Sequence, residues 1–388
     1  MKKWLLIFLG LCLVSLAGVH FFAPALIENN FNRHLNHPTF AVSENAQKLH
    51  NTLFVADLHS DSMLWKRNFL EESQRGHMDL PRLIKGNVAL QIFAATTKVP
   101  SNMTYKGNSS DEDSLTMLTV GQLQPPATWF SLYQRAEWQL LKLTLFTDKS
   151  NGGLVLIRNS ADLNQLVLGR QRGDRIVGGI FGIEGAHALE GDIENLERLY
   201  EKGLRVVGLS HFFDNEAGGS LHGLSGDGLS DFGKEVVKTA NHLGIIIDVA
   251  HASPQMVSDI LSISSKPVIL SHGGVKGVCN KNRNLNDDLM LRLADAGGLL
   301  GIGYWDAAVC DISPRGIVRA IRAAIDLMGI DHVALGSDYD GATEVMIDTS
   351  ELSILTHTML ENGFTEEEIR KVMGGNIQRF FIENLPQS

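Results

Sequence analysis

The sequence predicts an α/β fold, a (β/α)8 barrel of the TIM type, on two observations. Eight short apolar runs are rich in Val, Ile and Leu without alternation, which is typical of strands buried on both faces of a parallel sheet. Amphipathic stretches separate these runs, and several begin with Ser, Asp or Asn and end at Gly, as helices do. Strand–helix alternation repeated eight times favours a barrel over its rival, a doubly wound open sheet. The predicted strands are 53–57, 87–94, 175–183, 205–210, 244–250, 267–271, 298–304 and 332–336.

The predicted helices lie between the later strands, inside one long connection and after the last strand. The long connection, at about 96–175, separates the second and third strands, and an insertion of this length usually covers or borders a pocket. The last helical pattern is expected to close the barrel. The predicted helices are 129–146, 193–203, 230–244, 253–265, 286–298, 314–329, 349–363 and 365–381.

The composition fits one large globular domain. The chain has 388 residues, of which 44% are hydrophobic and 20% are charged, so it has ample material for a core. The net charge of −10 comes without a basic cluster, and nucleic acid is therefore not an expected partner. We predict a barrel domain at 50–388, preceded by a polar stalk at 28–49.

Residues 1–27 have the pattern of an export signal or a membrane anchor, because Lys2 and Lys3 precede a long uncharged stretch. The stretch is long enough to span a bilayer, and candidate cleavage sites follow Ala17 and Ala25. An uncleaved anchor is favoured slightly over a cleaved signal. The paired lysines would stay in the cytoplasm under the positive-inside rule. We therefore expect the domain in the cell envelope, either anchored and facing the periplasm or exterior, or secreted to the periplasm.

Outside this segment the chain has two cysteines, Cys279 and Cys310. An even count fits an oxidising compartment, but two free thiols fit the sequence nearly as well as a disulfide. A bond would close a loop of about 30 residues and would stabilise the fold by about 3–4 kcal/mol.

Seven side chains suited to metal or proton chemistry share one position, at or just after the end of a predicted strand. All strand ends of a barrel open onto one face, so residues far apart in sequence converge there. A lone histidine at a strand end is more often structural, but four histidines and three carboxylates together favour a metal-dependent hydrolase. These residues are His59, Asp61, Glu184, His211, His251, His272 and Asp338.

The spacing of these residues indicates two ions. His59 and Asp61 are two apart, so in extended backbone their side chains point the same way and can bind one ion. Glu184 can bridge two ions, while His251 and His272 at consecutive strand ends can bind the second. Two divalent ions bridged by a carboxylate and a hydroxide provide a strong nucleophile at neutral pH. Mixed histidine and carboxylate ligands suit zinc first, with manganese or cobalt as substitutes, so we predict two Zn²⁺ per chain.

Several short segments occur in order over roughly 50–385: DLHSD, GIEGAH, GLSH, IIIDVAHAS, PVILSHGG, CNKNRN and LGSDYDG. In these segments the chain resembles the membrane dipeptidase (renal dipeptidase) family of the amidohydrolase superfamily. The resemblance implies that His59 and Asp61 bind one zinc ion, that Glu184 bridges, and that His251 and His272 bind the other.

The resemblance also implies the substrate-handling residues. His211 would contact the substrate and stabilise the oxyanion, and Arg283 would hold the substrate carboxylate, for which a guanidinium fork is suited. Asp338 would pass a proton to the leaving amine. Asp340, two residues on, is the alternative for this role, and Asp338 is preferred because it lies closer to the strand end. The family further suggests a disulfide between the two cysteines named above.

We therefore predict a zinc-dependent dipeptidase that hydrolyses the amide bond of small dipeptides. Relatives often accept a D-residue at the carboxyl end, and by analogy peptidoglycan-derived dipeptides are candidate substrates. Relatives are commonly dimers, so a homodimer is possible on this resemblance. The long insertion and the amino-terminal segment depart from the best-known members and leave substrate size open.

Two secondary candidates and two rival functions remain at this stage. His187 and His222 could contact the substrate or could support loops. Another amidohydrolase, such as a lactonase, cyclic amidase or β-lactam hydrolase, is the first rival. Many of those enzymes use a carboxylated lysine as the metal bridge, whereas the fourth predicted strand here ends in Ser210 and His211. A non-catalytic envelope binding protein is the second rival, and it predicts the loss of a metal or proton-transfer residue, none of which is lost.

Overall fold

Eight parallel strands form the centre of the molecule in a computed structural model that describes Trp4 and residues 22–387. The strands follow one another in the sheet in chain order, and each pairs in parallel with its neighbour. Each predicted apolar run overlaps one of them, so the predicted (β/α)8 architecture is confirmed. The strands are β1 Val55–Asp57, β2 Val88–Thr96, β3 Val177–Glu184, β4 Leu204–Gly208, β5 Ile246–Asp248, β6 Ile269–Gly273, β7 Leu299–Ile302 and β8 Val333–Leu335.

The first and last strands meet, so that the sheet curves into a nearly closed barrel. The Leu58 N–H, directly after β1, donates to the Leu335 carbonyl of β8 at 3.0 Å. Beyond the strand ends, Ser60 and Tyr339 form an isolated parallel bridge. This closure brings the segment after β1 next to the segment after β8, and both carry predicted site residues.

Helices cover the outside of the barrel, and the predicted helices are present with small shifts at their ends. Several begin after a side-chain cap, as at Ser230, whose side chain accepts from the Gly233 N–H. The long predicted connection contains three helices and a short strand, Leu154–Leu156, that pairs in parallel with the start of β3. Besides a helix at 22–31, the α-helices are Glu44–His50, Leu80–Lys85, Leu115–Gly121, Leu132–Lys149, Ser160–Gln171, Ile193–Lys202, Asp231–Leu243, Pro254–Ile263, Asp287–Asp295, Asp306–Val309, Pro314–Met328, Ser353–Glu361, Glu366–Arg370 and Asn376–Asn384.

The carboxyl-terminal pattern, predicted as one helix, is interrupted by a π-helical segment at Lys371–Gly375. The interruption lies where the helix backbone touches the start of the first strand. A Cβ at Gly374 would lie 1.9 Å from the Phe54 carbonyl oxygen. This close contact holds the helix against the amino-terminal end of the barrel, the face opposite the predicted site.

The segment predicted as a stalk lies against the barrel. Its short strand Arg33–His34 pairs in parallel with Glu344–Val345, a short strand after β8. Its helix Glu44–His50 packs against Ser353–Glu361. No helix among the described residues is long and apolar enough to cross a bilayer. The predicted signal or anchor falls mainly on 1–3 and 5–21, which lie outside the described residues.

The two cysteines outside that segment form a disulfide. Their sulfur atoms are 2.07 Å apart, and the Cα atoms of Cys279 and Cys310 are separated by 5.4 Å. The bond joins the loop after β6 to the loop after β7, both on the face where the predicted site lies.

Candidate metal centre and active site

The strand ends bring the predicted site residues into one buried cluster. Glu184 is the last residue of β3, and His272 lies in β6. The other members follow their strands by two to four residues. His59, Asp61, Glu184, His211, His251, His272 and Asp338 are each at most 8% exposed.

The Glu184 carboxylate is the centre of this cluster. One of its oxygens, Oε1, lies 3.1 Å from the His251 Nε2 and 3.5 Å from the His272 Nε2. The same oxygen is 3.6 Å from the His59 Nε2. Three imidazoles from three strands therefore point at one carboxylate oxygen, and the bridging position predicted for this glutamate is geometrically available.

The remaining members complete two overlapping groups of donor atoms. The Asp61 Oδ2 lies 3.5 Å from the His59 Nε2, so His59, Asp61 and Glu184 form one group. Glu184, His211 and His251 form the other, in which the His211 Nε2 is 3.3 Å from the Glu184 Oε2. The His272 Nε2 lies 3.0 Å from that of His251, beside this second group.

Ser271 fixes the orientation of two imidazoles. Its hydroxyl donates to the Asp248 carboxylate at 2.5 Å, so it acts as an acceptor towards the Nδ1 atoms of His272 and His59, at 2.8 and 3.3 Å. With Nδ1 carrying the proton, both Nε2 atoms direct a lone pair at the centre of the cluster. A carboxylate and a hydroxyl behind a histidine are a common support for metal ligands.

The electrostatics of the cluster favour a cation. Burial alone would lower the pKa of His59, but the neighbouring Glu184 and Asp61 carboxylates outweigh it and raise that pKa to about 10. The His59 Nε2 nevertheless has no hydrogen-bond partner among the described residues. The negative charge that raises this pKa also attracts a metal cation, which displaces the proton when it binds.

Asp338 and Asp340 have different environments, although both were candidates for one role. Asp338 faces the cluster, with its Oδ1 3.9 Å from the His59 Nε2. Burial and then the nearby Asp61 and Glu184 raise its pKa well above the usual range, against the attraction of His59. Asp340 is turned away, since it accepts from the Ser62 hydroxyl at 2.5 Å and pairs with Arg67. The geometry therefore favours Asp338 for proton transfer.

Left-handed backbone conformations direct two of these side chains. His251 has φ of 62° and Asp338 has φ of 59°, a region that residues other than glycine seldom adopt. Both residues occur three positions after a strand, where the chain turns out of the barrel. Such conformations cost free energy and concentrate at functional sites.

Arg283 lies in the loop after β6, at the edge of the cluster. It is 2% exposed, and its NH2 group donates to the His272 carbonyl at 2.6 Å. Its Nε has no hydrogen-bond partner among the described residues, and the guanidinium lies 5.4 Å from the centre of the Trp305 ring. A buried arginine without a carboxylate partner is a suitable site for an anionic group of a ligand.

The two secondary histidines are buried near the cluster but do not join its donor groups. Neither ring nitrogen of His187 or His222 has a hydrogen-bond partner among the described residues. His187 packs beside Phe213, and His222 stacks on Phe212. These contacts leave both residues as supports of the site wall.

Sequence reasoning missed three polar supports of the cluster: Thr96, Asp248 and Ser271. The Thr96 hydroxyl is 2.6 Å from the Asp61 Oδ1 and 2.9 Å from the Glu184 Oε2, so it connects two of the predicted ligands. Thr96 and Asp248 are the last residues of β2 and β5, and Ser271 lies in β6. The strand-end position that identified the predicted residues would also have identified Thr96 and Asp248.

A cavity of about 840 Å³ opens onto the cluster. Its inner end is polar and includes Glu184, His211, Arg283 and Asp338. Pockets of roughly 300–1,000 Å³ hold small organic ligands, so this cavity can enclose a small substrate at the cluster.

A nearly closed parallel barrel with histidines and carboxylates clustered at its strand ends defines the class of metal-dependent hydrolases. The sequence model of one family, membrane dipeptidase (Peptidase family M19), matches residues 43–385. The chain therefore belongs to this metal-dependent family, as the resemblance predicted, and it is a metallo-dipeptidase.

Three individual relatives share between 24% and 30% sequence identity with this chain. The chain is 30% identical over 255 residues to an uncharacterised protein of Klebsiella pneumoniae, covering 62% of this chain and 92% of that protein. It is 26% identical over 349 residues to an uncharacterised dipeptidase of Schizosaccharomyces pombe, and the match covers 84% of this chain and 79% of that protein. A crystal structure of a metallo peptidase from Rhodobacter sphaeroides, liganded with a phosphinate mimic of L-Ala-D-Ala, has a TM-score of 0.69 and 24% identity over 86% of this chain and 99% of its own.

Proposed function

We propose that the protein is a binuclear zinc dipeptidase that hydrolyses free dipeptides and accepts a D-residue at the carboxyl end. The observation that carries the proposal is the contact of one Glu184 oxygen with the Nε2 atoms of three histidines, at 3.1 to 3.6 Å. Three imidazole nitrogens this close to one buried carboxylate oxygen are stabilised by a shared cation, and a metal ion can take that place.

The donor set fits two zinc ions. His59 and Asp61 would hold one ion, His251 and His272 would hold the other, and Glu184 would bridge them. Nitrogen and carboxylate donors in this mixture are typical zinc ligands. The fit is supported by the unpartnered His59 Nε2 and by the hydrogen bonds that Ser271 makes behind two of the imidazoles. When bound, the ions would polarise the scissile carbonyl and activate water.

The protein's own residues bind and orient the substrate. Arg283 holds the carboxylate of the substrate's last residue, which places the scissile amide over the cluster. His211, whose Nδ1 is 3.3 Å from the Lys98 carbonyl oxygen, directs its Nε2 at the carbonyl oxygen of the scissile amide and stabilises the negative charge that develops there. Asp338 accepts a proton from the attacking water and delivers it to the leaving nitrogen.

The substrate class rests on two observations. A buried arginine at the inner end of the cavity suits a free carboxylate, which every unmodified dipeptide has. The relative from Rhodobacter sphaeroides is liganded with a mimic of L-Ala-D-Ala, which supports a D-residue at the carboxyl end. Dipeptides with a free carboxylate and either stereochemistry at that residue are therefore the proposed substrates.

The test is hydrolysis of L-Ala-D-Ala and L-Ala-L-Ala before chelation, after chelation and after zinc is restored, with metal content measured in parallel. We expect two zinc ions per chain and zinc-restored cleavage of both peptides. The amide of each peptide is the matched control and should be a poor substrate, because Arg283 then has no carboxylate to bind. Metal-loaded protein without activity on any dipeptide, or protein that binds no metal, would overturn the proposal.

We also propose that the protein acts in the cell envelope. The proposal is supported by Lys2 and Lys3 followed by an uncharged stretch, and by the disulfide between Cys279 and Cys310, since such bonds persist in oxidising compartments. Fractionation of cells, with protease treatment from the outside, tests it. A protein found only in the cytosolic fraction would contradict the proposal.

A further inference from the structure

The cavity has a second, outer part whose wall includes the segment at 22–37, which spans the end of the predicted signal or anchor and the start of the predicted stalk. Residues 22–31 form a helix, and Pro24, Ile27 and Phe31 line the cavity. Ile27 packs on an apolar cluster that includes Trp65, after β1, and Leu118, in the long insertion. The amino-terminal segment and the insertion thus enclose the outer part of the cavity from two sides.

Buried ion pairs hold this segment in place. Glu28 is 1% exposed, and its carboxylate lies 3.2 Å from the Arg67 NH1 and 3.0 Å from the Arg75 Nε. Arg67 also pairs with Asp340, two residues after the Asp338 that faces the metal cluster. A buried charge is costly unless it is paired, so this network fixes the helix against the site.

Backbone contacts join the segment to the chain after β8. The Asn32 side chain accepts from the Ala342 N–H at 2.9 Å, and the Arg33 N–H donates to the Thr343 carbonyl at 3.2 Å. Ala342 and Thr343 also line the cavity. The segment is therefore a fixed part of the cavity wall rather than a connection that only leads to the barrel.

The outer part of the cavity is apolar and open. Phe31 is 54% exposed, Met103 is 38% exposed and Met117 is 76% exposed, and all three line the cavity. Large apolar side chains gathered at a cavity mouth cost free energy in water and mark contact with an apolar partner.

The positions of the two ends set the direction of a bound peptide. Arg283 follows β6, whereas Ile27 and Phe31 belong to the amino-terminal segment, which packs on Trp65 after β1 and is joined to Ala342 after β8. A peptide with its carboxylate at Arg283 and its amide over the cluster directs its amino-terminal side chain towards Ile27 and Phe31.

We propose that this outer part, here called the amino-terminal side-chain subsite, selects dipeptides whose first residue has a large apolar side chain. Phe31 and Met103 are the specificity-determining residues, and leucine or phenylalanine is the preferred first residue. The inference rests on the proposed dipeptidase function and adds the substrate class that the function leaves open.

The experiment compares kcat/KM for L-Ala-D-Ala, L-Leu-D-Ala and L-Phe-D-Ala with the zinc-loaded full chain in lipid nanodiscs. Nanodiscs are used because a detergent would itself enter an apolar cavity. We expect the leucine and phenylalanine peptides to exceed the alanine peptide at least tenfold, since each buried methylene adds roughly a factor of four. Cleavage of none of the three would overturn the proposed function, whereas equal cleavage of all three would overturn the subsite alone.

Variants of the wall test the assignment to residues. Phe31→Ser and Met103→Ser should each lower the ratio of kcat/KM for the leucine peptide to that for the alanine peptide at least threefold. The Phe31 side chain is largely exposed, so its replacement should not prevent folding. Ala23→Trp, which adds bulk to the same wall, should lower the ratio as well.

Phe130→Ser is the matched control, because Phe130 is 88% exposed and does not line the cavity. Its ratio should equal that of the unchanged chain. If the wall variants keep the ratio but weaken retention of the chain on phosphatidylcholine vesicles, the apolar rim contacts lipid and the subsite proposal is overturned. An equal loss of kcat/KM for all three peptides in the wall variants would indicate a structural role for these residues, and it would also overturn the subsite proposal.

Discussion

Arg283 is the buried cation of the cavity, and no carboxylate among the described residues lies within ion-pair distance of it. Its contacts are the His272 carbonyl and the face of Trp305. The free energy of burying this charge is offset only in part by these neutral groups. In the proposed function a substrate carboxylate would supply the opposite charge, so binding should depend on this residue more than turnover does.

Replacement of Arg283 by Gln should raise KM roughly 10- to 100-fold, because a charge-assisted hydrogen bond contributes about 1.5–3 kcal/mol. kcat should change much less, because the metal ligands are untouched. Steady-state kinetics on L-Ala-D-Ala test this expectation. The dipeptide amide serves as the control substrate, and it should be cleaved equally poorly by both proteins. An unchanged KM for the free peptide would contradict the assignment of the carboxylate to Arg283.

Asp338→Asn and Asp340→Asn should have different effects, although the two residues are nearly adjacent. Proton transfer by a positioned side chain contributes roughly 10²- to 10⁴-fold, so Asp338→Asn should lower kcat by at least about 10² with metal content unchanged. Asp340→Asn leaves the buried Arg67 with a weaker partner and should lower the free energy of unfolding by about 3 kcal/mol. Kinetics, metal analysis and urea unfolding of both variants separate these roles. A larger loss of kcat in the Asp340 variant would reverse the assignment.

At the scale of the element, the turn after β3 determines where Glu184 points. Gly185 has φ of 97°, and a short 3-10 helix, Ala186–Leu189, follows it at once. A Cβ at Gly185 would lie 2.2 Å from the His187 ring. The glycine is therefore required twice, once for the backbone conformation and once for the close contact with His187.

Gly185→Ala should lower both stability and zinc affinity, because relief of the clash must move His187 or the Glu184 backbone. Gly173→Ala is the matched control, since Gly173 has a similar φ of 93° but no atom within 4 Å of an added Cβ. Both variants should lose about 1–2 kcal/mol from the backbone conformation, and only the first should lose metal and activity. Urea unfolding and zinc titration measure the two effects. Equal behaviour of the variants would show that the contact with His187 is unimportant.

At the scale of the whole molecule, buried neutral histidines connect folding to pH. His50 is 1% exposed, far from the metal cluster, and joins the helix Glu44–His50 to two other parts of the chain. Its Nε2 donates to the Gly86 carbonyl at 3.0 Å, and its Nδ1 lies 2.9 Å from the Thr356 hydroxyl. Burial lowers the pKa of His50 from 6.5 to about 4, against a smaller opposite effect of the hydrogen bond to Gly86.

Between pH 6.5 and about 4 the unfolded chain binds a proton at His50 that the folded chain does not. The free energy of unfolding should therefore fall as the pH falls through this range, by up to about 3 kcal/mol from His50 alone. His50→Gln should remove this contribution and flatten the pH dependence. His242→Gln, on an exposed helix position, is the control and should keep the original slope. Urea unfolding from pH 7.5 to 4 measures it, and equal slopes for all three proteins would contradict the assignment.

Much of the barrel and the cluster could be predicted because both depend on local pattern. Eight apolar runs predict eight buried strands, and residues such as Glu184 and His272 lie where a parallel barrel brings strand ends together. Thr96 was missed although it ends a strand, because a lone threonine in a sequence does not indicate a contact with two carboxylates. The contact of the segment at 22–37 with the site was missed because its apolar start was assigned to a signal or anchor and its polar remainder to a solvated stalk.

The sequence by itself determined the strand count and the seven strand-end donors, because periodicity and strand-end position are local properties of the chain. The arginine after β6 was predicted from the family resemblance alone. Only the tertiary structure decided which of Asp338 and Asp340 faces the metal cluster, since left-handed turns and the ion pair with Arg67 direct their side chains. It also decided that Glu28 is buried in ion pairs and that Phe31 belongs to the cavity wall. Burial of a charged residue such as Glu28 depends on partners distant in sequence, so local pattern cannot reveal it.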